Sequence, residues 1–190
     1  MNDDIQPNNE STTVVQRYLT PHEVGRLISA VKGRGRYGLR DGAIVLLSYQ
    51  HGLRVSEVCA LTWDAVNLHE ATLAVRRKKN GIAGLHPLTG DALRVLRALK
   101  AAAGASPWVF TNERGGPCTP AGIRIMLKRA AQGAGLPRCN PHALRHACGY
   151  KLVNDGADIR LVQSYLGHRS IDSTVRYTAV DARRYAKLFR

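Results

Sequence analysis

Six side chains in this sequence have the types and the order to act on a phosphate ester: Arg54 in "HGLRVSEV", Lys79 in "RRKKNG", His142 and Arg145 in "PHALRH", His168 in "YLGH" and Tyr177 in "VRYT". Arginine forks grip nonbridging phosphate oxygens and stabilise the charge that develops on them. Histidines donate or accept protons, a lysine protonates a leaving 5′ hydroxyl, and a tyrosine attacks phosphorus. Such a displacement needs no metal ion and no cofactor, and each polar group is worth on the order of a hundredfold to a thousandfold in rate.

Each of these residues also has a plainer reading. Arg54 follows a glycine turn at the start of a helix, where backbone N–H groups favour an anion. Its setting among Leu53, Val55 and Val58 implies partial burial, and a buried arginine needs a partner such as Glu57 or a phosphate. Lys78 and Lys79 stand at a hairpin tip that, taken alone, is a solvated turn. His142 and Arg145 project from one helical face at i, i+3, and His146 near that face reads equally as a core histidine. A lone tyrosine beginning a C-terminal helix is usually packing, but Tyr177 follows His168 by nine residues in a chain that holds all the other groups.

Two further patterns carry less. Gly33, Gly35 and Gly38 have GxGxxG spacing, yet they follow a helix instead of a strand, which favours a flexible basic loop over a nucleotide site. Cys139, His142, His146 and Cys148 cluster in "CNPHALRHAC", but Cys148 should point away from the histidine face and Cys139 precedes the helix, so no metal site is expected. With no CxxC pair, the four cysteines read as reduced thiols.

The chain has 190 residues, 44% of them hydrophobic, enough for one domain with its own core. Lys and Arg total 28 against 14 Asp and Glu, a formal charge of +14, and from Ile123 onward the balance is 13 basic to 4 acidic. That field suits a polyanion partner, DNA or RNA. No apolar run is long enough to span a bilayer and the start "MNDDIQPNNESTT" is unlike a secretory signal, so a cytoplasmic protein is expected.

Residues 1–17 lack apolar periodicity and read as disordered, leaving 18–190 as the folded domain. Thr20, Pro21 and Glu23 form a capping box for a first helix, and "RDGAIVLLSYQHG" and "VSEVCALTW" read as the next two. "ATLAVRR" and "GLHPL" read as strands of a hairpin turning at Asn80 and Gly81. Helices resume with "TGDALRVLRALKAAA" and "TPAGIRIMLKRAAQGAG", then one capped by Asn140, then "DIRLVQSYLG"; "WVFTNERGG" suits a short strand and a turn. Arg124, Lys128 and Arg129 are candidate DNA-facing residues, though a solvated helix face accounts for them nearly as well. The tail places Ala182, Tyr185, Ala186 and Phe189 at near-helical spacing, suited to packing on its own domain or on a neighbouring protomer.

The order Arg, Lys, His-x-x-Arg, His, Tyr, with "HGLRVSEVCAL", "HALRH", "LGH" and "VRYT" around it, resembles the tyrosine recombinase, or phage integrase, family across nearly the whole chain from Leu19. The resemblance implies that family's catalytic-domain fold, mainly α with a small antiparallel hairpin or sheet. It makes Arg54, His142, Arg145 and His168 catalytic and Tyr177 the nucleophile. "RRKKNGIAGLHPL" is similar to the hairpin of the short fimbrial phase-switch DNA invertases, which aligns Lys79 with the catalytic lysine and leaves Lys78 as the alternative. The implied reaction cuts one DNA strand to give a 3′-phosphotyrosyl link and a free 5′ hydroxyl. It implies four protomers on paired sites, DNA-bending accessory proteins, and a nucleoid-associated location. The separate core-binding domain of most family members is not expected here. Inversion, integration and excision remain open, as do a noncatalytic DNA-binding regulator and a type IB topoisomerase.

Overall fold

The computed structural model describes residues 18–33, 35–77, 84–137 and 139–178. The expected N-terminal disorder, Lys78, Lys79, the Asn80–Gly81 turn and the tail beyond Thr178 lie outside them. Eight α-helices occur among the described residues: α1 (Pro21–Lys32), α2 (Gly38–His51), α3 (Val55–Cys59), α4 (Gly90–Ala102), α5 (Pro120–Gly133), α6 (Pro141–Asn154), α7 (Ile159–Leu166) and α8 (Asp172–Val175). Between α3 and α4 come strands β1 (Val66–Asn67), β2 (Thr72–Val75) and β3 (Gly84–Pro87), antiparallel in the order β1-β2-β3.

Local chemistry sets these boundaries. Thr20 accepts from the Glu23 N–H and Glu23 reaches back to the Thr20 N–H, the capping box that starts α1. Asn140 accepts from the Ala143 N–H ahead of Pro141 and so starts α6. Gly52 ends α2 at φ 57° and Gly167 ends α7 at φ 63°, left-handed conformations that glycine adopts without strain. Space requires glycine there too: a Cβ on Gly52 would lie 2.4 Å from Leu166, and one on Gly167 would lie 2.8 Å from Arg77.

α2 runs through the core, burying Ala43, Ile44, Val45 and Leu47 against α1, α4 and α6. α5 closes the same core with Ile123, Leu127, Ala130 and Ala131. Cys148, Val153, Val162, Leu166 and Tyr177 form a second, smaller core that holds α7, α8 and the 3-10 turn Arg176–Thr178 against α6.

Three expectations are corrected. "VSEVCALTW" is not one helix: α3 stops at Cys59 and a 3-10 turn follows at Trp63–Ala65, because Leu61 and Trp63 bond to Val109 and Pro107 across the domain. "WVFTNERGG" forms isolated bridges, Thr62 to Trp108 and Thr111 to Pro117, and no strand ladder. β1 was not expected, its two residues being too few to show alternation.

Candidate active site

Arg54 stands at the N-terminal end of α3 in extended conformation, and the Glu57 carboxylate holds it twice. Glu57 Oε2 accepts from the Arg54 backbone N–H at 2.8 Å and Oε1 accepts from its guanidinium at 2.8 Å. The Arg54 side chain stays 32% exposed, whereas that of Glu57 is buried. Burial alone would raise the Glu57 pKa, but the bond from the Arg54 N–H and the charges of Arg77 and Arg54 outweigh it and hold the carboxyl below its usual range.

Arg145, 5% exposed on α6, donates to the Gly52 carbonyl and, at 2.6 Å, to the Leu166 carbonyl. Its guanidinium therefore joins the glycine turn before Arg54 to the turn before His168. Arg54 reaches the same second turn, donating to the Gly167 carbonyl at 3.4 Å. Burial, then repulsion from Arg54 and Arg77, lowers the Arg145 pKa to about 10, which leaves it charged at neutral pH.

His168 follows Gly167 with Nδ1 at 2.8 Å from the Thr174 hydroxyl. Burial first, then the Arg145 and Arg54 charges, lowers its pKa to about 4, so the imidazole is neutral at physiological pH. Its ring stacks on that of Tyr177 at 6.1 Å between centroids.

Tyr177 is 1% exposed, its ring laid on α6 so closely that a Cβ at Gly149 would come within 2.5 Å of it. Tyr150 meets the ring edge-on at 5.1 Å. The Tyr177 hydroxyl is 3.0 Å from His146 Nδ1. Burial raises the Tyr177 pKa, with Arg145 pulling the other way. The lowered pKa of His146, due first to burial, keeps that imidazole neutral and able to accept the phenolic hydrogen.

Of the residues expected from sequence, the structure brings Arg54, Arg145, His168 and Tyr177 together. His142 is exposed on the first turn of α6, and its field reaches His146. Lys78 and Lys79 lie outside the described residues, two positions or fewer beyond Arg77. Arg124, Lys128 and Arg129 are exposed on α5, away from its buried face. Arg129 borders an open cleft of about 650 Å³ together with Tyr37, Arg40 and Arg114; none of Arg54, His142, Arg145, His168 and Tyr177 lines that cleft.

Two residues at the site carry roles the sequence reading did not give them. Arg77, part of a segment read as strand end and solvated tip, is buried and pairs with Glu57 at 2.8 Å. His146, read as a core histidine, holds the Tyr177 hydroxyl. Neither has a local signature, since their partners lie 20 and 31 residues away in sequence. Cys139 and Cys148 are buried thiols whose pKa values burial pushes up to about 12, and among the described residues no cluster of His, Cys, Asp or Glu is arranged to hold a metal ion.

No helix among the described residues is long and apolar enough to cross a membrane. The phage integrase family model matches residues 17–184. The type 1 fimbriae regulatory protein FimE of Escherichia coli (strain K12) is 40% identical over 181 residues, spanning 92% of this chain and 91% of FimE. FimB of the same strain is 33% identical over 93% of this chain and 91% of its own length. The crystal structure of XerA recombinase superposes with a TM-score of 0.79 at 26% identity, over 92% of this chain and 64% of that one. The Tn1549 transposon integrase, in complex with transposon right end DNA, shares the fold at a TM-score of 0.78 and 19% identity, over 99% of this chain and 67% of that one. Matched along nearly its whole length by that family model and by FimE, the chain belongs to the phage integrase family, the tyrosine recombinases.

Proposed function

We propose that the protein is a site-specific DNA recombinase that cleaves and rejoins strands through Tyr177. The observation that carries this reading is the charge balance behind the site. Arg54 and Arg77 pair with one carboxylate, Glu57, and Arg145, within reach of that charge, bonds only to backbone carbonyls among the described residues. Three cations against one carboxylate leave two positive charges at the site; a phosphodiester balances one, and the second answers the negative charge that develops on the nonbridging oxygens as the tyrosine attacks.

In this reading Arg54 and Arg145 hold the nonbridging oxygens, with His142 and His168 as hydrogen-bonding or proton-transfer groups. The Tyr177 oxygen forms a bond to phosphorus as the bond from phosphorus to the 5′ oxygen breaks. The phenolic proton passes to a histidine, and Lys79 protonates the departing 5′ oxygen to give the free hydroxyl, with Lys78 as the alternative. The 3′-phosphotyrosyl link keeps the energy of the ester, so a second 5′ hydroxyl reverses the step and joins a new strand. The Tyr177 hydroxyl cannot meet DNA from a residue 1% exposed, so α8 and the turn Arg176–Thr178 move when the site engages its substrate.

Double-stranded DNA is the partner. Four protomers on paired sites, DNA-bending helper proteins and a nucleoid location complete the reading. Lys78, Arg124, Lys128 and Arg129 supply contacts to the phosphate backbone.

The test is SDS-resistant capture on a nicked suicide duplex carrying the repeats that flank the coding element. Wild type is expected to form a covalent 3′ adduct and Tyr177→Phe only to shift the DNA. Binding without an adduct in wild type would place the protein among noncatalytic regulators. Relaxation of supercoiled DNA lacking those repeats would point instead to a topoisomerase.

A further inference from the structure

We infer that Arg77 is a positioning residue of the strand-cleavage reaction, setting the spacing between the Arg54 turn, the His168 turn and the hairpin that leads to Lys79. The inference rests on the recombinase reading above and extends it to a residue that touches no substrate.

The geometry is that of a clasp. One Arg77 nitrogen, Nη1, donates to Glu57 Oε2 at 2.8 Å and to the Gly52 carbonyl at 3.4 Å. The other, Nη2, donates to the His51 carbonyl at 3.2 Å and to the Tyr165 carbonyl at 2.5 Å. These acceptors belong to the end of α2, to α3 and to the end of α7. Gly167 has no side chain in the space where the Arg77 methylenes pass, and any Cβ there would collide with them. One planar fork thus spans three elements.

Each of those elements holds or leads to a proposed reacting group. Glu57 orients Arg54, Gly52 shares its carbonyl with Arg145, and Tyr165 precedes His168 by three residues. Arg77 itself follows β2 at the start of the lysine hairpin. A second polar layer lies beneath the fork, where the His86 ring of β3 stacks on Tyr165 at 3.9 Å and His51 Nδ1 is 3.2 Å from the Tyr165 hydroxyl. The hairpin, α2 and α7 are therefore registered against one another around Arg77.

Arg77 does not bind phosphate itself. Its side chain is 1% exposed and its terminal nitrogens are committed to four acceptors. Lysine cannot replace it, because one ammonium cannot span four acceptors held in a plane. Displacement of a reacting group by about 1 Å costs on the order of a hundredfold in rate, whereas binding set by surface contacts to the backbone is untouched.

The experiment compares full-length wild type, Arg77→Lys and Arg77→Gln on the nicked suicide duplex at saturating protein. Single-turnover adduct formation, DNA affinity and the melting transition are measured on the same preparations. Adduct formation is expected to fall about a hundredfold in both variants, while affinity changes by less than about threefold. If Arg77→Gln does not fold, Arg77→Lys keeps the charge opposite Glu57 and carries the comparison. Wild-type cleavage by Arg77→Lys overturns the inference, as does a joint fall of rate and affinity, and so does the loss of a melting transition in both variants, which would assign Arg77 to stability alone. No adduct in wild type is a different failure: it removes the recombinase reading and the role of Arg77 with it.

Discussion

The two sides of the site are built differently. The arginine side is anchored in the main core: Arg77 and Arg145 are buried, each bonded to backbone carbonyls of two or more elements, and Glu57 is held between cations. The tyrosine side rests on the small second core, on a four-residue helix and one 3-10 turn, and the Tyr177 hydroxyl meets a single histidine nitrogen. Groups that must be fixed before the substrate arrives are those whose displacement is costly. The proposed nucleophile is held by the packing of its ring on Gly149, Tyr150 and His168 within a small core, and by one hydrogen bond worth about 1 kcal/mol. Preorganised charge thus bridges the ends of α2 and α7, whereas the proposed nucleophile rests on the smaller core alone.

The two sides should respond differently to substitution. Tyr177→Phe removes the attacking oxygen and should abolish the covalent adduct while moving the melting temperature little, since the ring and its packing remain. Arg145→Met should do both kinds of damage. It should cut adduct formation by on the order of a hundredfold to a thousandfold and destabilise the fold by roughly 1–3 kcal/mol, because the Gly52 and Leu166 carbonyls lose a buried donor. A stable, normally melting Arg145→Met protein would erase the distinction.

Gly149→Ala tests the tyrosine side alone. The new methyl group would meet the Tyr177 ring at 2.5 Å, and overpacking of this kind costs about 1–3 kcal/mol. Because the strain falls on the second core, α8 and the turn Arg176–Thr178 should exchange faster while α1 and α2 keep their protection. Uniform loss of protection would show that the two cores do not respond separately.

A smaller effect comes from pH. Burial holds His51 at about 4, His86 at about 3 and His168 at about 4, each well below the roughly 6.5 of an unfolded histidine. Between those values the unfolded chain binds protons that the folded protein refuses. Stability is therefore full above about pH 6.5 and is lost as the pH falls toward 4. Melting curves should drop by several degrees from pH 7 to pH 5, with 1 kcal/mol moving the midpoint by about 2–4 °C in a chain of this size. A His51→Phe variant should flatten part of that slope.

The same contrast decides what could be read in the sequence. Arg54, Arg145, His168 and Tyr177 lie in short local words, and the caps at Thr20 and Asn140 and the stops at Gly52 and Gly167 are signals within one turn of helix. Arg77 was illegible because its acceptors come from residues 51, 52, 57 and 165, and only the folded chain shows that a cation in "RRKKNG" is inside. His146 was visible as a histidine near the right face, but its partner arrives from another element. The burial of Tyr177 was equally hidden, since it depends on Gly149, a residue the helical pattern treats as neutral.

The smallest effect concerns α5, where solvated face and DNA contact are both open. Arg124 and Lys128 stand four residues apart and exposed, about 100° around the helix from the buried Ile123 and Leu127, so both can reach a phosphate backbone without disturbing the core. Each phosphate contact that releases a counterion contributes about 0.9 to the slope of log affinity against log salt. Arg124→Ala and Lys128→Ala should each weaken binding evenly across DNA sequences and lower that slope by about 1, with adduct formation at saturating protein unchanged. An unchanged slope in the double variant would return this face to solvent and leave DNA contact to the residues around the arginine side of the site.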